Sequence, residues 1–278
     1  MRPILKYPGA KWRLANWIIS HMPPHNAYVE PYFGSGAVFF NKEPCKLEVI
    51  NDLNGDIVNY FRVMRDKPQE LAKAIEWTPW ERGELGYCRT AKPIANDVEM
   101  ARRCIVRYNQ SIGSGMDPVT AWRHRAKETG CGSCASEWQG MPKKILLASK
   151  RLMQAQIECL PALEVIEHYN FPEYLVYADP PYVQETRNSS IRYGKGYELN
   201  DADHITLLTA LKSHTGMVLL SGYDCPMYRD MLSGWRKETI TTRAERAALR
   251  TECLWLNPLA AERNAQVSMF SMGGSSHG

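Results

Sequence analysis

The stretch Tyr177-Ala-Asp-Pro-Pro-Tyr-Val-Gln184 joins a carboxylate, two prolines and an aromatic ring directly behind an apolar run, Tyr174–Ala178. Each proline lacks a backbone N–H, so the pair ends a strand and holds the next residues extended. In an open α/β sheet, ligands gather at the carboxyl ends of strands. There the Asp179 side chain and the Pro180 carbonyl are two fixed acceptors directed at one small space. Two acceptors suit a group with two N–H donors, such as the exocyclic amine of a nucleobase. That amine is a poor nucleophile because its lone pair is delocalised into the ring. Acceptors on both hydrogens bias the nitrogen toward a pyramidal shape and stabilise the positive charge that grows as it attacks. Tyr182 supplies a ring on which a base can stack, worth about 1–3 kcal/mol. Asp179, Pro180 and Tyr182 are the candidate catalytic residues.

A second constellation lies nearer the N-terminus. Val29-Glu-Pro-Tyr-Phe-Gly-Ser-Gly-Ala-Val-Phe-Phe40 sets Gly34 and Gly36 at the turn from a short strand into a helix-like run. Glycines there let a ligand approach the backbone closely. A dinucleotide fingerprint wants a third small residue three positions past Gly36. Phe39 occupies that position, so a nucleoside without a pyrophosphate fits better. Asp52 ends the next apolar run, sixteen residues past Gly36. A carboxylate there can accept hydrogen bonds from both ribose hydroxyls; its competing role is to cap the next helix.

These residues need strands to carry them. Strands are predicted at 27–30, 46–50, 155–159, 174–178 and 217–222, with more near 237–242, 252–256 and 267–271. Helices are predicted at 56–65, 97–109, 142–153 and 201–213, the last capped by Asp201. Strands alternating with helices imply a mostly parallel sheet covered on both faces. The simplest organisation is one α/β domain from residues 1–60 and 146–272, a helical insert at 61–145, and a disordered tail at 273–278. The insert holds 15 Lys/Arg against 10 Asp/Glu, whereas the rest of the chain holds 19 against 20. A basic segment in a neutral scaffold points to a polyanionic partner.

No stretch approaches the roughly eighteen apolar residues of a membrane span, and the N-terminus has no signal-peptide core. The eight cysteines are scattered and read as reduced thiols of a cytoplasmic protein. Cys131-Gly-Ser-Cys134, with His124 before it, resembles half a zinc site. No second pair has the spacing, so a loop of small residues and no bound metal is the expectation.

Taken in order, the glycine loop, the basic insert and Asp-Pro-Pro-Tyr resemble the Dam-like DNA adenine methyltransferases of alpha-type motif order, over nearly the whole chain. Those enzymes transfer a methyl group from S-adenosylmethionine to adenine N6. The resemblance implies a Rossmann-like S-adenosylmethionine-dependent methyltransferase domain with a helical DNA-recognition insert. It gives meaning to Lys6-Tyr-Pro-Gly-Ala-Lys11, similar to a family stretch that closes over the cofactor. Tyr7, Lys11, Glu30, Phe33, Gly34, Gly36, Asp52 and Asp179 are the cofactor-binding residues it implies. Arg107, Asn109, Ser111 and Arg123 in the insert, with Arg187 and Arg192 after the catalytic box, are the implied DNA contacts. Double-stranded DNA with the target adenine flipped out is the implied substrate. A cognate restriction endonuclease, or a phage or mobile-element setting, is the implied company.

One departure stands out. Many family members place an acid before the catalytic box, where it binds the cofactor's adenine amine; here Pro161 occupies that place, leaving Glu158 or a backbone group as the substitute. Ser221 and Tyr223, at another strand end, are expected to line the target pocket. The same chemistry on cytosine N4, RNA or a protein amide is the first alternative. Cytosine-directed relatives usually have Ser, and protein-directed ones Asn, where this chain has Asp179. A non-catalytic DNA-binding module is the second, and it would have lost the glycine loop or Asp179.

Overall fold

The computed structural model describes residues 3–112, 121–125, 133–183, 196–243 and 249–273. Five strands run parallel: β1 (Ala27–Glu30), β2 (Leu47–Asn51), β3 (Ala155–Glu158), β4 (Tyr174–Ala178) and β5 (Met217–Gly222). β6 (Arg236–Arg243) and β7 (Leu249–Leu256) complete a seven-stranded sheet of order β3-β2-β1-β4-β5-β7-β6. β7 enters antiparallel between β5 and β6. The mostly parallel sheet agrees with the predicted α/β class. Strand order reverses between β1 and β4, and such a switch point opens a crevice beyond the strands' carboxyl ends. Every residue of β1, β4 and β5 is buried, as a parallel sheet covered on both faces requires.

Successive side chains point to opposite faces, so the strands feed two cores. Tyr28, Ile50, Leu175, Tyr177 and Leu219 join one. Val29, Val49, Val176, Val218 and Leu220 join the other. The first core also holds residues of α1 (Ala15–Ser20), α2 (Gly55–Asp66), α3 (Pro68–Glu76), α4 (Arg82–Thr90), α5 (Asp97–Gln110), α6 (Cys134–Gln139) and α7 (Met141–Leu152). The second is covered by α8 (Ala162–His168), α9 (Asp201–Ser213) and α10 (Pro226–Met231). The helical block thus shares one continuous core with the sheet. The boundaries drawn at residues 60 and 145 fall inside α2 and α7, each of which packs against α3. With Ile57, Val58, Tyr60, Phe61, Val63 and Met64 all buried, α2 has an apolar surface wide enough for two partners, and with α7 it bridges sheet and insert.

Two local expectations change. Asn200, not Asp201, caps α9, in a reciprocal capping box with Asp203. The strand expected near 267–271 belongs to α11 (Pro258–Gly273). Pro258 opens that helix and Asn257 Oδ1 accepts the Ala260 N–H at 3.0 Å. A capped start with proline at the first helical position outweighs the β-propensity downstream. No helix among the described residues is long and apolar enough to cross a membrane.

Candidate active site

The ends of four strands build the site. After β1, Pro31 stops the ladder and the chain turns through Gly34 (φ +52°) and Gly36 (φ +67°). A Cβ on Gly36 would lie 2.4 Å from the Phe33 ring and 2.7 Å from the Phe40 ring. Both the positive φ and the close rings demand glycine. The turn is pinned to β2 by the Phe33 N–H, which donates to Asn51 O at 2.8 Å. Residues 37–41 then form turns, with Phe40 N–H bonded to Gly36 O at 2.9 Å, rather than a full helix.

Asp52 stands just past β2. Its Oδ2 accepts from Gly34 N–H at 2.8 Å and its Oδ1 from Asn54 N–H at 2.9 Å. Burial pushes its carboxyl up to about 6 while those two amides pull it down. It remains mainly ionised at neutral pH, with lone pairs beyond the two in use. The helix-capping role falls to Asn54, whose side chain accepts from Asp56 N–H. Leu53, half exposed, lines the cleft beside Asp52.

Glu30 and Asp179 face each other across the switch point. Glu30 is buried, and its Oε2 accepts the Tyr28 hydroxyl at 2.8 Å. Burial pushes its carboxyl up to about 8; the Tyr28 bond opposes this and the charge of Asp179 adds to it. Burial also raises Asp179, against the pull of Lys11. Lys11 Nζ lies 3.0 Å from Asp179 Oδ1, donates to Gly9 O at 2.9 Å, and sits 4.6 Å over the Tyr182 ring. Asp179 is thus paired with the Lys11 ammonium, while Glu30, held up near 8 beside it, is a carboxyl that a positive charge entering the site would help to ionise.

A cleft of about 270 Å3 brings Tyr7, Lys11, Glu30, Phe33, Gly34, Asp52 and Asp179 together. Gly36 lies behind it in the turn. Pro180 and Tyr182 are buried beside it, and Pro181 lines it. Pro161 and the half-exposed Leu163 form a wall on the β3 side. Glu158 does not reach that wall; its Oε1 accepts the Tyr169 hydroxyl at 3.0 Å. Asn51 carries no motif signal in the sequence, yet its side chain spans Pro31 O at 2.9 Å, Leu160 O at 3.0 Å and Leu160 N–H at 2.9 Å. It locks the glycine turn to the Pro161 wall. Ser221 is buried and shares a 2.9 Å hydrogen bond with the Tyr177 hydroxyl, so it braces β4 against β5. Tyr223 meets Tyr182 edge to face, with centroids 4.6 Å apart.

The expected DNA contacts divide. Asn109 is buried and donates to Ile105 O at 3.0 Å and Ile4 O at 3.3 Å. Ser111 is also buried, accepts from Arg89 Nη2 at 2.7 Å and pairs with Trp122 across a β-bridge. Both are engaged inside the protein, Asn109 tying α5 to the N-terminal segment at Ile4 and Ser111 tying its end to α4 through Arg89. Arg107 is ion-paired with Asp56. Arg123 donates to Ser111 O at 3.1 and 3.2 Å. Arg187, Arg192 and Cys131 lie outside the described residues, while Cys134 is buried at the start of α6. Spacing alone did not reveal one basic aromatic group near Arg123. The guanidinium of exposed Arg82 lies 5.2 Å over the Trp122 ring, and His124 stacks on Trp122 at 5.5 Å.

Comparison with known proteins gives a consistent picture. The sequence model of a family described as D12 class N6 adenine-specific DNA methyltransferase matches residues 7–249. The chain is 40% identical over 76 residues to the type II methyltransferase M1.LlaDCHI of Lactococcus lactis subsp. cremoris, a match covering 27% of this chain and 26% of that protein. It is 22% identical over 276 residues to the type II methyltransferase M.MjaIII of Methanocaldococcus jannaschii, covering 87% and 92% of the two chains. It is 25% identical over 245 residues to a DNA adenine methylase of Vibrio cholerae serotype O1, covering 84% and 85%.

Proposed function

Because the chain belongs to the D12 class of N6 adenine-specific DNA methyltransferases, we propose that its cleft holds S-adenosylmethionine and receives a flipped adenine of double-stranded DNA beside Asp179. S-adenosylmethionine supplies a methyl group carried on a positively charged sulfur. Asp52 accepts hydrogen bonds from the ribose hydroxyls, and the glycine turn lets the ligand lie against the backbone. Leu53, Leu163 and Pro161 clasp the cofactor's adenine, whose polar edge is read by backbone near Pro161. Glu30 and Asp179 make the cleft attractive to positive charge. Tyr7 closes the cleft from the N-terminal side, packed where a Cβ on Gly34 would lie 3.0 Å from its ring.

At the target end, Asp179 and the Pro180 carbonyl hold the adenine amine, and Tyr182 forms the stacking floor. The observation that carries this reading is the seat of Lys11. An ammonium 3.0 Å from Asp179 Oδ1 and 4.6 Å over the Tyr182 ring marks a place built for a nitrogen that bears hydrogens and positive charge. The amine acquires that character as it attacks. Asp179 then stabilises the growing charge without reorganising, and holding the amine in line contributes much of the acceleration. The helical block at 61–145 presents Arg82, Trp122 and Arg123 to the DNA, the cations to phosphates and the ring to a base or sugar. Since two relatives are named type II methyltransferases, a cognate restriction endonuclease is part of the proposal.

The test is nucleoside mass analysis of unmethylated genomic DNA, and of RNA, incubated with the protein and S-adenosylmethionine. N6-methyladenine in the DNA is expected. N4-methylcytosine, methylation of RNA alone, or no product overturns the reading.

A further inference from the structure

Glu252 belongs to none of the sequence motifs, yet it stands at the centre of the aromatic wall. It lies on β7, opposite Ile240 of β6. Its Oε2 accepts the Tyr182 hydroxyl at 2.9 Å, and its Oε1 accepts the Tyr223 hydroxyl at 3.2 Å. The two rings meet edge to face, with centroids 4.6 Å apart and planes at 73°. Tyr182 follows β4, Tyr223 follows β5, and Glu252 comes from β7, so three segments of chain converge on one carboxylate. A tyrosine ring anchored at its Cβ end alone can swing about its side-chain torsions. One anchored at its hydroxyl as well is held in one orientation before any ligand arrives.

We infer that Glu252 is a positioning residue for the target base: its carboxylate locks Tyr182 and Tyr223 into a fixed aromatic corner against which the adenine stacks. The inference rests on the reading of Tyr182 as the stacking floor. A carboxylate suits this task because both oxygens accept, so both hydroxyls donate at once. Glutamine also serves both rings, since its carbonyl accepts from one hydroxyl while its amide donates to the other. Alanine serves neither. Glu252 also adds negative potential at Asp179, and glutamine separates that role from positioning because it keeps the clamp and removes the charge.

The experiment compares wild type with Glu252→Ala, Glu252→Gln and the double variant Glu252→Ala/Tyr182→Phe. Methyl transfer to unmethylated genomic DNA gives kcat and KM, calorimetry gives S-adenosylmethionine affinity, and crystal structures give the Tyr182 rotamer. Glu252→Ala is expected to lower kcat by about 10-fold or more, the scale of a small misplacement in a reacting geometry, while cofactor affinity stays within about 3-fold. Glu252→Gln is expected to return kcat to within about 3-fold of wild type. The double variant also removes the hydrogen bond that Tyr182 makes to Asp179, so it should be slower than Glu252→Ala by less than about 10-fold if the Glu252 tether is the main loss. Tyr182 should hold one rotamer in wild type and Glu252→Gln and spread over several in Glu252→Ala. A Glu252→Ala protein at the wild-type rate overturns the inference, as does a Glu252→Gln protein as slow as Glu252→Ala, which would assign the role to charge. If wild type transfers no methyl to DNA, the reading of the site falls, and the rotamers decide the tyrosine clamp by themselves.

Discussion

Replacing Asp179 with asparagine keeps the shape of the side chain and an acceptor oxygen but removes the charge. The distance over which that charge acts is given by Lys11, whose ammonium lies 3.0 Å from Asp179 Oδ1. An amine hydrogen-bonded to the Asp179 carboxylate at a similar distance carries about half a positive charge midway along its path. At an effective dielectric of about 20, half a charge at that distance gains about 3 kcal/mol from a carboxylate. At about 1.4 kcal/mol per factor of ten, Asp179→Asn should slow the chemical step by about 100-fold. That matches the scale for losing one preorganised electrostatic partner. Single-turnover transfer of labelled methyl to unmethylated genomic DNA isolates the step from product release. Asp179→Asn also leaves the buried Lys11 ammonium without its counter-charge, and removing one partner of a buried ion pair destabilises a fold. The melting temperature of Asp179→Asn should therefore fall below that of wild type at pH 7, and the rate is to be measured well below it. A variant that transfers methyl within about five-fold of the wild-type rate would refute the electrostatic argument.

The same geometry sets other outcomes. Glu30 sits at about 8 in the fold against about 4.3 in an unfolded chain. Its contribution to stability is complete below about pH 4 and is lost as pH rises toward about 8. Glu30→Gln should flatten that part of the stability profile in urea titrations, and an unchanged slope would count against it. A cationic ligand should pull Glu30 down, so S-adenosylmethionine binding at pH 7.5 should release protons, seen as a dependence of calorimetric enthalpy on buffer. Gly36→Ala forces a left-handed backbone and drives a methyl into Phe33, so a loss of at least about 1–2 kcal/mol is expected in chemical denaturation. Asn109→Ala should cost about 1–3 kcal/mol of stability and leave DNA affinity intact. Arg82→Ala should do the reverse, and should lower the slope of DNA affinity against salt by about one unit.

What could be read from the sequence was chemistry concentrated in a few consecutive residues. Asp179 to Tyr182 states its own geometry, because two prolines fix the backbone and leave little else for the carboxylate to do. Gly34, Gly36 and Asp52 were legible for a similar reason: a strand, a turn and a carboxylate at a set spacing. Asn109 and Ser111 were candidates by residue type alone; a polar run looks alike whether it faces a ligand or packs inside the protein, and burial puts both side chains in the second setting. Val267-Ser-Met-Phe resembles a strand until Asn257 and Pro258 are seen to have started a helix ten residues before it. The insert boundaries blurred because α2 and α7 serve both sides of them. Glu252 gave no signal at all. It belongs to no motif, and its partners are 70 and 29 residues away, joined to it only by strand order.

That strand order bears on how the enzyme comes into being. β7 pairs with β5 and β6, but it comes after both in the chain. A ribosome releases Asp179, Asp52 and both glycines well before residue 249. Until β7 arrives, the edge of β5 stands open and the tyrosine corner lacks its acceptor. Long-range pairing of this kind is slow relative to local helix formation. Nascent chains bearing every recognisable motif should therefore be catalytically silent. Methyl transfer would begin only after β7 has taken its place between β5 and β6.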